Sequence, residues 1–314
     1  VIRRLAVLGA LAVAAAAVSP LGAQSRRPAI YLNDPGNQRI VRIDDMTGAG
    51  WVALPVRETG TRAFAFQSGI ALDAAGRIYL TDAGAGRLVR VSDMAGAGWA
   101  VFSRAAAGEL GFPVGVAVDR QGRIYVADAT NHRVVRVDDL SGIGWVALGS
   151  RGAGARQFNF PQGVALDAAG RLYIVDALND RIVRVDDMSG AGWVAFGRSG
   201  TGRGEFDFPA GIALDAAGRV YVADSSNNRV VRIDDLRGAG WIAYGTAGAA
   251  PGQFTFPTGI AVDAAGRIYV TDEEHRVVRI ADMAGADWTA LGGLGSGRLQ
   301  FAFPSSLVVD GAVR

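Results

Sequence analysis

The sequence predicts an all-β protein: a six-bladed β-propeller of four-stranded blades, with the ring closed by the C-terminal strand completing blade one. Three observations carry that prediction. A unit of the form F-x-F-P-x-G-[IV]-A-[LV]-D-A-A-G-R-[IV]-Y-[VIL]-x-D-x-x-N-x-R-[IV]-V-R-[VI]-D-D-[ML]-x-G-x-G-W-[VI]-A is written about five times. Trp51, Trp99, Trp145, Trp193, Trp241 and Trp288 mark its period at 46–48 residues. A sixth copy is divided between the two ends of the chain. A strand-built repeat of this length signals a propeller, solenoid or array. Propeller blades hold four strands and number four to eight, and the tryptophans count six.

The elements of one unit follow in order. In the third, residues 115–119 (GVAVD) are a first strand and 123–128 (RIYVAD) a second, joined by the turn Arg120-Gln121-Gly122. Thr130-Asn131-His132 turns the chain into a third strand, 133–138 (RVVRVD). The loop 139–144 (DLSGIG) then leads to the last strand, 145–148 (WVAL). Apolar residues run together in the first two strands, as expected of sheets covered on both faces. No segment after residue 23 has the length and amphipathic period of a helix. At the N-terminus the pattern enters at Ile30-Tyr31-Leu32-Asn33-Asp34, which is already a second strand. The missing first strand stands at the other end, in Leu307-Val308-Val309-Asp310 after Phe301-Ala302-Phe303-Pro304. Pairing the two removes the open edge that would otherwise invite aggregation.

The stretch Pro-x-Gly-[IV]-Ala-[LV]-Asp, followed by Gly-Arg-[IV]-Tyr-[VI]-x-Asp-x-x-Asn-x-Arg-[IV], resembles the NHL repeat. It is whole in the units starting at Pro113, Pro161 and Pro209, and nearly whole in those starting at Gln67 and Pro257. The resemblance covers essentially all of residues 29–314 and implies a six-bladed propeller. It implies no single activity, because members of the family include protein-binding and RNA-binding modules, receptor sensor domains and a few enzymes. Related six-bladed folds place a metal at the channel mouth, so the alternative to a binding module is a metal-dependent lactonase- or lyase-like enzyme.

Composition narrows the chemistry. There is no cysteine, so disulfides, thiolate metal sites and cysteine nucleophiles are excluded. All 32 basic residues are arginine, which excludes Schiff-base and phosphate-loop lysines. Residues 1–23 read as a signal peptide, with Arg3-Arg4, an apolar stretch and then Ser19-Pro20-Leu21-Gly22-Ala23. The expected mature domain is 24–314, a secreted or periplasmic monomer without a membrane span. Those first residues carry two of the 32 basic side chains and none of the 30 acidic ones, so the remainder is formally neutral. Nucleic acid is therefore not the expected partner.

Residues present in every unit are read as scaffold. The tryptophans are expected between blades. In Asp-x-x-Asn-x-Arg, the Asp is expected to cap the turn and the Arg to reach a carboxylate of the neighbouring blade. Arg136/Asp138, Arg184/Asp186 and Arg232/Asp234 are expected ion pairs along the third strands. The Asp-Ala-Ala-Gly turns place Asp73, Asp167, Asp215 and Asp263 as turn caps rather than a calcium ring.

Loops joining strands one to two and three to four recur almost unchanged, whereas those joining two to three and four to one, which open on the other face of the ring, vary in sequence and length. Binding residues belong on variable loops of a rigid scaffold. The expected binding set is Arg57, Arg62, Arg104, Arg151, Arg156, Arg198 and Arg203 from the four-to-one loops, Gln162 at the channel mouth, and Glu273, Glu274 and His275 from the shortened turn of the sixth unit. Arginine forks suit carboxylate or phosphate groups, so the expected partner is a protein, a peptide or an acidic glycan. The position after each inner-strand Pro or Gln is also expected near the mouth: Ser68, Val114, Gln162, Ala210, Thr258 and Ser305. No catalytic set is visible. The two histidines, His132 and His275, fall three units apart, on opposite sides of a six-unit ring. No calcium, zinc or other cofactor is called for by the ligand set.

Overall fold

The computed structural model describes residues 29–56, 64–102 and 109–311. Six four-stranded antiparallel sheets stand around a central channel, each running outward from its first strand in chain order. In blade four these strands are Pro161–Leu166, Leu172–Asp176, Arg181–Val185 and Val194–Phe196. Blade one takes its innermost strand, Leu307–Val309, from the C-terminal end; it pairs antiparallel with Ile30–Asp34, Ile30 facing Val309 and Leu32 facing Leu307. Among the described residues the only helical segments are three short 3-10 turns, and no helix is long and apolar enough to cross a membrane.

Apolar packing lies between blades. Each of six buried clusters draws on two neighbours; one joins Tyr125, Val134 and Leu148 of blade three to Ile174, Val183 and Met188 of blade four, with Trp193 packed against it. The tryptophans sit where the repeat places them, in these seams. The first Phe of F-x-F meets them: Phe158 and Trp193 have ring centroids 5.3 Å apart, as do Phe254 and Trp288.

Inner strands begin two residues earlier than their apolar run suggests, at Pro113, Pro161 and Pro209. Between Pro161 and Val164 the register shifts against the second strand, and the same bulge recurs in blades two, three and five. A bulge re-aims side chains near the end of a strand. It also brings neighbouring inner strands together. A Cβ on Gly115 would press into the carbonyl oxygen of Gln162 in the next blade, and one on Gly211 into that of Thr258. Glycine is required there by space alone.

The Asp-x-x-Asn-x-Arg turn differs from expectation in two respects. The 3-10 turns carry no side-chain cap from their Asp. Asp176 instead accepts the N–H of Asn159 in the preceding four-to-one loop, at 2.6 Å. The Arg pairs within its own blade and not with a neighbour: Arg181 Nε lies 2.7 Å from Asp176 Oδ2. The other guanidinium nitrogens of Arg181 donate to the carbonyls of Ala153, Gly154 and Gln157, and its carbon stands 5.8 Å over the Trp193 ring. Arg thus ties turn, loop and seam tryptophan together inside one blade, because all three lie within reach of one planar fork. The third-strand pairs form as expected, Arg136 to Asp138 at 3.5 Å and Arg232 to Asp234 at 3.5 Å.

Candidate binding site at the upper channel mouth

The channel has two mouths separated by an aliphatic waist of Ile70, Val116, Val164, Ile212, Ile260 and Leu307, one residue per blade. In blades two to five these are the [IV] positions following the bulge, and Ile260 and Leu307 hold the equivalent places in blades six and one, so the repeat itself builds the waist.

The lower mouth, of about 350 Å³, opens between the Asp-Ala-Ala-Gly and equivalent turns and includes Asp119, Arg123 and Asp167. The carboxylates of these turns are already engaged. Asp73 accepts the N–H groups of Ala75 and Arg77, the Arg77 guanidinium and the Tyr79 hydroxyl. Burial opposes ionisation of Asp73, yet the backbone and side-chain bonds from Arg77 outweigh it and hold the carboxyl below its ordinary range. The tyrosines above these turns respond in the other direction. Burial first, and then the Asp263 and Asp215 charges, push Tyr269 and Tyr221 up to about 12. With two backbone donors, an arginine and a tyrosine filling its lone pairs, such an Asp has little left for calcium. Among the described residues no group of three or more His, Asp or Glu is arranged to hold a metal.

The upper mouth, of about 380 Å³, opens on the face with the variable loops and has no ionisable side chain in its lining. Its polar groups are Ser68, Gln162, Thr258, Ser305 and Ser306. All six positions following the inner-strand Pro or Gln reach it, as the repeat predicts. Phe66, Phe112, Phe160, Phe208 and Phe256, the second Phe of F-x-F, stand around it. Phe303 holds the matching position in blade one. Phe66 and Phe303 are 48% and 57% exposed. Phe160, Phe208, Phe256 and Phe303 have φ between 47° and 58°, a left-handed backbone that is unusual for a bulky residue and of the strained kind that gathers at binding sites. A side chain of the previous blade holds each of these four in place by accepting its N–H: His132 Nδ1 for Phe160, Asp180 Oδ1 for Phe208, Asn228 Oδ1 for Phe256 and His275 Nδ1 for Phe303, at 2.9–3.2 Å.

Of the predicted binding residues, Gln162 lines this mouth. Arg57, Arg62 and Arg104 lie outside the described residues. Arg151 is exposed on its loop, and Arg198 is bound to Glu205 at 2.9 Å. Arg156 packs over Gly190, and Arg203 donates to the carbonyl of Gly238; both contacts are with three-to-four loops at the outer wall. Glu274 accepts the Thr255 hydroxyl, Glu273 is exposed, and His275 serves as the Phe303 anchor. The four described arginines are thus not brought together at the mouth. The phenylalanines were not singled out from the sequence, although a bulky residue fixed two positions after a buried Phe, with only one residue between them, was the available signal.

Six four-stranded antiparallel sheets set around a channel define the class: an all-β six-bladed propeller. Residues 110–137, 206–233 and 254–279 each match the NHL repeat, so blades three, five and six of the propeller carry NHL repeats. No curated protein sequence matches it. Among solved structures it is similar to a chain of a nidogen/laminin complex, with 18% identity and a TM-score of 0.67 over 90% of this chain and 97% of that one. It is similar to a protein of unknown function from Bacteroides caccae, with 15% identity and a TM-score of 0.64 over 90% and 98%. Virginiamycin B lyase from Staphylococcus aureus is similar at 15% identity and a TM-score of 0.52 over 76% and 77%. At these identities the likeness is one of fold.

Proposed function

We propose that this protein is an exported binding propeller that recognises a protein or peptide partner with its upper face. The observation that carries the reading is the upper mouth: a cavity of about 380 Å³ without an ionisable lining side chain, rimmed by five phenylalanines, none of them buried and Phe66 half exposed. Aromatic side chains ordinarily bury, and exposed apolar patches mark interaction surfaces. The mouth offers hydroxyls without a neighbouring base, which supports binding over hydrolysis or elimination. His132 and His275 both spend Nδ1 on the phenylalanine collar. The first 23 residues support export, and the resemblance to a propeller of a nidogen/laminin complex adds that a ring of this shape suits protein recognition.

The test is selection of peptides from a displayed random library on the immobilised protein. Enriched peptides should lose binding to a Phe66→Ser/Phe303→Ser variant that melts like the parent. They should keep it on a variant with Arg151, Arg156, Arg198 and Arg203 all replaced by Ala. Enrichment of acidic peptides that fail only on the arginine variant would move the site to the loops.

A further inference from the structure

The departures from the repeat around the upper mouth are not evenly spread, and they define what fits there. In blades two to six the residue preceding the waist position is glycine; in blade one it is Ser306. The second-strand position above it is Thr, Ala or Val in the other blades and Asn33 in blade one. Asn33 Nδ2 donates to Ser306 Oγ at 3.1 Å. The hydroxyls of Ser305 and Ser306 both donate to the carbonyl of Ser68, at 3.1 and 2.6 Å. Asn33 is fully buried, and its Oδ1 has no partner. With Thr258 on one side and Ser68 on the other, blades six, one and two form a hydroxyl crescent. The hydroxyl protons of Ser305 and Ser306 are committed to the Ser68 carbonyl, so the Ser305 oxygen offers the cavity its lone pairs. Three blades away, and therefore across the channel, Gln162 lines the mouth with an amide that bonds to no other described residue. Val114 and Ala210 flank it.

The collar sets the shape. Blades of a six-membered ring are turned by about 60° from one to the next, so upright rings would differ by that angle. The neighbouring pairs Phe66–Phe112, Phe112–Phe160 and Phe208–Phe256 are only 24–30° apart, with centroids at 6.1–6.3 Å. The rings therefore lie like tiles around the opening, faces outward. An apron of this kind seats a macromolecular surface and keeps water from the group that enters the mouth, the arrangement found around buried anchor residues.

We propose that the upper mouth is a socket for an uncharged aromatic anchor side chain of the partner, a tyrosine or tryptophan, whose O–H or N–H is accepted by the blade-one crescent or by Gln162. This rests on the proposed function and names its anchor. The waist and collar supply the apolar walls for a ring, and the acceptors match a donor at its edge. A charged side chain is rejected because the cavity would strip its water and return no counter-charge.

The experiment is ligand-observed NMR on the full protein with four probes: N-acetyl-tyrosinamide, N-acetyl-tryptophanamide, N-acetyl-phenylalaninamide and the phosphotyrosine analogue. The tyrosine and tryptophan probes should show saturable binding, and the phosphorylated one none. Ser305→Ala and Gln162→Leu should weaken the tyrosine or tryptophan probe by about 3–10-fold and leave the phenylalanine probe unchanged, with unaltered melting as the control on folding. Preferential binding of the phosphorylated probe, equal response of all probes to the variants, or no saturable binding would overturn the socket. The first of these, if still abolished by Phe66→Ser/Phe303→Ser, would leave the recognition face standing; peptide selection that ignores the collar would remove both.

Discussion

At the scale of the residue, the F-x-F motif shows how one repeat divides its work. Phe206 is fully buried and packs on Trp241 at 5.4 Å. Two positions on, Phe208 sits in a left-handed backbone at the mouth. Extended backbone would send residues two apart to the same side, so it is the left-handed conformation of Phe208, at φ 48°, that parts the two rings. What holds the second one is an acceptor, and its chemistry varies from blade to blade among His, Asp and Asn. His132 does its work through Nδ1 alone, which requires the Nε2–H tautomer. His132→Asn is therefore expected to melt like the parent, because Asn228 performs the same task two blades on. His132→Ala leaves the Phe160 N–H without its acceptor and should cost about 1 kcal/mol in denaturant unfolding. Equal stability of both variants would show that the anchor is incidental. The sequence made His132 look like part of an ordinary turn and His275 like part of a binding set; only the partner, 28 residues further along, reveals the role.

At the scale of the element, the Asp-Ala-Ala-Gly-Arg-x-Tyr hairpin is a closed electrostatic unit. Tyr221 donates to Asp215 and Tyr269 to Asp263, each at 3.1 Å. Both phenols are pushed up to about 12, by burial and then by the adjacent carboxylate, and burial also raises Tyr79, Tyr125 and Tyr173. An unfolded tyrosine ionises near pH 10. Above that pH the unfolded chain releases protons that the folded one retains, so stability present below pH 10 is lost as pH rises toward 12. The melting temperature should fall steeply across that interval, and phenolate absorbance should rise together with loss of structure. Tyrosine ionisation that precedes unfolding would show these phenols to be accessible. The turn and its Asp were legible in the sequence, as were strand order and the inter-blade tryptophans. The bulge was not: apolar runs mark where a strand is covered, and the ladder partner decides where it starts.

At the scale of the whole molecule, closure is the cooperative feature. Phe301 is fully buried beside Trp51, and Leu307–Val309 completes the sheet of blade one. Deleting residues 301–314 should expose Ile30–Asp34 as an open edge and leave a seam of two blades unfilled, giving an aggregated or unfolded product. A soluble deletion variant with a single sharp melting transition would mean that five and three-quarter blades suffice. The same joint carries Asn33, Ser305 and Ser306, so the place where the ring closes is also where its mouth departs from sixfold symmetry.

The sequence alone determined the blade, its count and the way the ring closes, because each rests on local periodicity repeated until only one arrangement buries it all. It also determined which positions reach the channel mouth. The character of that mouth was decided by the tertiary structure. Charges on one loop face look like a patch when read in a line. Around a ring, however, Arg156 and Arg203 turn to the outer wall and Arg198 meets Glu205. Five phenylalanines spaced a blade apart converge on one opening, since a closed ring brings together residues that are distant along the chain.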